Sequence, residues 1–136
     1  MVRAFFFVLS VFGVLGSPVQ LAQAQDHTVS DAQKCTLFQS IEEKFNDNGP
    51  VKSGPASEML SISVDCQDKT ITYKQRILID PADLRDGWQD RKQEQHTRLH
   101  CNQKGIASLV KWNAVTDLYD PKNVYIAQWV TTPDDC

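Results

Sequence analysis

From Glu58 to Ile79 the chain alternates apolar and polar residues with a period of two, and no other stretch is patterned as clearly. Leu60, Ile62, Val64 and Cys66 share one parity, with Ser61, Ser63 and Asp65 on the other. That alternation predicts a half-buried strand whose inward row ends on a cysteine. Gln67-Asp68-Lys69 is a polar turn. Ile71, Tyr73, Ile77 and Ile79 then alternate with Thr72, Lys74, Arg76 and Leu78, which predicts a hairpin.

The segment before this hairpin follows a helical period instead. Ser30-x-x-Gln33 has the form of a capping box, and Leu37, Phe38, Ile41 and Phe45 recur on one face with Cys35 at its edge. This helix should end near Asn46. Asn48-Gly49-Pro50 and Ser53-Gly54-Pro55 then predict a connecting loop. After the hairpin, Asp80 as N-cap and Pro81 at the first helical position predict a second helix, reaching about Asn102 and stopping at Gly105. Its apolar stripe is thin: Leu84 and Trp88 at one end, Leu99 at the other, Arg91 and Gln95 between. Such a helix packs only in part or at its ends, with Gly87 as a possible bend.

Two further strands close the chain. Val110, Trp112, Ala114 and Leu118 form an incomplete alternation, Asp120-Pro121-Lys122-Asn123 is a turn, and Val124, Ile126 and Val130 oppose Tyr125, Ala127 and Trp129. The order α-β-β-α-β-β predicts one small α+β domain, with an antiparallel four-stranded sheet and both helices on one face.

Four cysteines alter the stability argument. Cys35, Cys66, Cys101 and Cys136 stand 31, 35 and 35 residues apart. They follow Met1-Val2-Arg3, an apolar stretch from Ala4 to Gly16, and a small-residue Ala22-Gln23-Ala24 site. That arrangement predicts a cleavable signal peptide over 1–24 and a disulfide-braced domain over 25–136. The apolar stretch is short of the about 20 residues that span a bilayer, so no stable membrane insertion is expected after cleavage. The expected pairing is Cys35–Cys66 with Cys101–Cys136, each tying a helix to its following hairpin. The crossed set, Cys35–Cys101 with Cys66–Cys136, is its main competitor.

Charge excludes one partner class. Beyond residue 24 the chain holds 13 basic and 17 acidic residues, scattered in sign. The densest cluster, Arg85 to Arg98, mixes both signs as a solvated helix face does. No basic stripe interleaved with aromatics is present, so no nucleic-acid partner is expected.

Candidate chemistry is sparse. His96 and His100 stand one turn apart, a spacing suited to metal capture, but Thr97 replaces the glutamate of the zinc-protease motif and no third ligand is evident. The plainer assignment is a pair of surface histidines, with no metal and no cofactor. The cysteines are too far apart for C-x-x-C thiol chemistry. Asp83, Asp86 and Asp90 read as solubilising acids rather than a catalytic pair. Tyr119, Tyr125 and Trp129 form the expected interface on the terminal hairpin.

These features point to an exported, periplasmic or secreted, non-enzymatic binding protein: an inhibitor, an immunity partner or an accessory of an envelope complex. Its expected partner is another envelope or secreted protein. A structural envelope component is the alternative, and a small hydrolase using His96 or His100 with a nearby acid is a further one.

Overall fold

Local capping and strand alternation build most elements; one crossover decides how they assemble. The computed structural model describes residues 28–136, so the expected signal peptide and His27 lie outside the described residues. In chain order the elements are α1 (Asp31–Asp47), β1 (Val51–Gly54), β2 (Ser57–Asp65), β3 (Thr70–Ile77), α2 (Trp88–His100), β4 (Asn113–Tyr119) and β5 (Tyr125–Thr131). Short turns of 3-10 helix occupy Pro81–Asp83 and Pro133–Asp135, and a single π-helical turn occupies Ile106–Val110.

The α+β class holds, but the sheet has five strands, not four, and is mixed, not antiparallel. Its order is β1-β2-β3-β4-β5, with β3 and β4 parallel and the other pairs antiparallel. The crossover through α2 explains the difference. It returns the chain to the end of the sheet where β3 began, so β4 must run in the same direction as β3. The fifth strand, β1, lies in the segment expected to be a loop. Pro50 and Pro55 bound it from outside, and this short edge strand tolerates them because neither interrupts its pairing.

Asp80 caps only one turn, its carboxylate accepting from Ala82 N at 2.9 Å, and Leu84 is already extended. The second helix therefore starts at Trp88 rather than Pro81. Gly87, at φ +73°, supplies its left-handed N-cap, and Arg91 donates back to Asp86 O and Arg85 O at 2.9 and 3.2 Å. The strand expected from Val110 begins only at Asn113, because the π-turn and left-handed Lys111 (φ +64°) come first.

The capping box of α1 forms as expected: Gln33 N donates to Ser30 Oγ, and Ser30 N to Gln33 Oε1. Cys35–Cys66 and Cys101–Cys136 are both bridged, the pairing expected from the sequence. Loops of 31 and 35 residues contribute about 3.5–4 kcal/mol each in the chain-entropy account. Two intramolecular bridges are the chemistry of an oxidising environment. Among the described residues no helix is long and apolar enough to cross a membrane.

Strand register sorts the side chains. Ile71, Tyr73, Gln75, Ala114, Thr116, Leu118, Trp129 and Thr131 share the face that carries the helices. Lys74, Arg76, Asp117, Tyr119 and Gln128 lie on the other, where Arg76 pairs with Glu58 at 2.6 Å. On the covered face α1 packs against β2 and α2 against β5. The core of Ile71, Ala107, Trp112, Ala114, Leu118 and Trp129 lies beneath them, with Phe38 of α1 5.3 Å from Trp112. Both helices also cover open strand backbone with an amide side chain. Asn46 bonds Ile62 N and O, and Gln93 donates to Val130 O.

Candidate functional site

The helices flank the sheet and leave a trough over β3. The inward residues of α2 are Trp88, Gln93, His96, Thr97 and His100, and the two histidines are buried at 8% and 7% exposure. The expectation of a surface histidine pair is thereby overturned. Leu99, assigned to the apolar stripe, is instead 61% exposed. The exposed flank of the helix, Asp90, Arg91, Lys92, Glu94 and Arg98, is the mixed-charge face read from the sequence.

His96 is fastened at both ring nitrogens, Nδ1 to Thr131 Oγ1 at 2.7 Å and Nε2 to Thr116 Oγ1 at 3.0 Å. The Thr131 hydroxyl donates onward to Thr97 Oγ1 at 3.5 Å, so it accepts from Nδ1–H. Nε2 then accepts from the Thr116 hydroxyl, and the neutral ring is fully satisfied. Burial, followed by the charge of nearby His100, pushes the His96 pKa down to about 4 from an ordinary 6.5.

His100 differs. Its ring lies 4.4 Å from that of His96 and stacks on Tyr73, centroids 5.8 Å apart. Burial lowers its pKa as well, and raises that of the Tyr73 phenol. Among the described residues, neither the His100 ring nor the Tyr73 hydroxyl has a hydrogen-bond partner, and no fully enclosed side-chain atom lacks one. The His100 nitrogens therefore open into the trough.

That trough has a volume of 520 Å³, within the size range of small-molecule sites. Met59, Leu99, Ile106 and Trp129 line it with apolar surface, and Tyr73, Gln75, His96, His100, Lys92 and Lys104 with polar groups. Gly105 holds the chain beside the end of α2. A Cβ there would overlap the His100 carbonyl, so only glycine lets the π-turn fold back and bring Ile106 to the wall. A second, more apolar chamber of 260 Å³ adjoins it across Gln75, Lys92 and Trp129 and is lined by Ile77, Ile79, Leu84, Trp88 and Leu118.

The expected interface residues separate. Tyr119 and Tyr125 meet edge to face at 5.9 Å, with Lys74 Nζ 4.4 Å above the Tyr119 ring. Trp129 points to the helix side, 6% exposed, against Trp88 and with Nε1 donating to Gln89 O at 3.1 Å. Asp83, Asp86 and Asp90 are all exposed. Among the described residues, no three His, Cys, Asp or Glu side chains gather as a metal site.

Sequence reasoning missed Tyr73, Thr116 and Thr131 as site residues. The available signal was Thr116 between Ala114 and Leu118, a polar residue on an inward row that needs a buried partner. No protein family, curated protein or solved structure matches this chain.

Proposed function

We propose that the protein is an exported, non-enzymatic binding protein whose ligand occupies the trough between α2 and the sheet. The observation that carries this reading is the His100 ring beside the Tyr73 hydroxyl, both without a hydrogen bond among the described residues, in a concave space of 520 Å³. The ring nitrogens and the hydroxyl open into the recess instead of being enclosed, and a concave space with a few such polar groups on apolar walls is the form a ligand site takes. The two disulfides support export to the periplasm or the exterior. As a hydrolase the site would use a histidine oriented by an acid, whereas the ring partners of His96 are threonines.

A second reading, contact with another exported protein, draws on the Tyr119–Tyr125 pair and its exposed neighbour Val124. One experiment separates the two. The oxidised protein is titrated with a small-fragment library while histidine and tyrosine ring resonances are followed by NMR. Binding in the trough moves His100 and Tyr73 and leaves Tyr119 and Tyr125 in place. A library that moves neither trough ring rejects the first reading.

A further inference from the structure

We infer that the ligand is an amphipathic carboxylate, its head in the trough lined by Lys92, Lys104, His100 and Tyr73 and its apolar chain running past Trp129 into the adjoining chamber. This deepens the trough reading and rests on it.

Charge is the first argument. The chain carries 17 acidic against 14 basic residues, yet among the described residues neither chamber is lined by an aspartate or glutamate. Lys92 and Lys104 both line the trough, and neither lies within ion-pair distance of a carboxylate among the described residues. The buried histidines resist protonation, so at neutral pH the lysines provide the local charge. Two exposed ammonium groups at the border of the recess favour an anion over a neutral or cationic guest.

Donor balance is the second argument. Lys92, Lys104, the Tyr73 hydroxyl and the Gln75 and Gln95 amides, none hydrogen-bonded through its side chain among the described residues, offer many N–H and O–H groups. A carboxylate is acceptor-only and satisfies several such donors at once.

The third argument is shape. The second chamber adds 260 Å³, and Lys92 is its only charged lining residue among the described ones. It meets the trough at Gln75, Lys92 and Trp129, so a head group in the trough leaves its chain facing Ile77, Leu84 and Trp88. An apolar chain buried there gains about 0.8 kcal/mol per methylene.

The test compares octanoate, octanol and octylammonium on the full-length oxidised protein, by calorimetry with the His100 and Tyr73 ring signals as reporters of place. Octanoate is expected to bind at least tenfold more tightly than the other two. The double variant K92Q/K104Q, with both changes at exposed positions, is expected to lose that preference. K122Q, in the β4–β5 turn away from both chambers, retains it. Equal binding of all three compounds in the trough, or a preference that survives K92Q/K104Q, overturns the carboxylate while leaving the trough as a ligand site. Binding of none of them also overturns it, and the fragment titration then decides separately whether the trough binds anything.

Discussion

The two helices invert the usual relation between sequence pattern and burial. Helix α1 carries the clear apolar stripe, yet none of its residues is fully buried, and Leu37 and Ile41 are 57% and 44% exposed. Helix α2 is polar along most of its length and buries two histidines. The cause is what each helix faces. Helix α1 lies over β2, beside the narrow four-residue β1, and is held largely by tethers: the Cys35–Cys66 bridge, Asn46 on Ile62, and Asp31, which pairs with Lys69 at 2.7 Å and accepts from Trp112 Nε1. Helix α2 lies against a sheet whose inward row includes Thr116 and Thr131, so a polar inner face finds partners there. A buried polar group is stable only when bonded, and the sheet supplies those bonds from distant parts of the chain.

The largest test of this contrast removes each tether in turn. Cys101→Ser with Cys136→Ser, and separately Cys35→Ser with Cys66→Ser, should each cost about 3.5–4 kcal/mol in urea denaturation. Only the first pair should displace the His100 ring signals, because only Cys101 adjoins the trough. Equal displacement by both would show that the helices do not act independently.

His96→Ala follows, with an expected loss of about 3 kcal/mol from the cavity, the Thr116 hydroxyl left unpaired and the Thr131 hydroxyl left with Thr97 alone. Leu37→Ser and Ile41→Ser should each change stability by less than about 0.5 kcal/mol, although they alter the more apolar helix. A larger effect at Leu37 than at His96 would reverse the comparison.

Acid provides an intermediate test. Folding lowers the His96 pKa to about 4, so the unfolded chain binds a proton that the folded chain refuses between there and about 6.5. This contribution is complete above about pH 6.5 and disappears as the pH falls toward 4. It is on the order of 3 kcal/mol. His100 shifts in the same direction. Thermal melts from pH 7 to pH 4 should show the loss, and His96→Gln should flatten the slope; an unchanged slope would mean that His96 is not buried as a neutral group.

Much of the fold was legible because its causes are local. The Ser30–Gln33 capping box, the β2–β3 hairpin and the helical stripe of α1 all come from residues within a few positions of one another. The site was legible only in fragments. His96 and His100 stood out by spacing, but nothing near them in sequence announced burial. Trp129 was visible as a large ring, while the face it occupies depended on which side of the sheet received α2.

Short-range patterns thus dictate most of the helices and strands, because periodicity, capping and turn chemistry act over a few residues, whereas the choice between the two cysteine pairings was made by the fold. The parallel β3–β4 pairing, the edge strand at Val51–Gly54 and the burial of the histidine pair arise instead from long-range packing. Each of these depends on partners brought together from afar: the hydrogen bonds of His96 reach 20 residues along the chain to Thr116 and 35 to Thr131. No local pattern encodes a bond whose acceptor is chosen by the packing of a helix across a sheet.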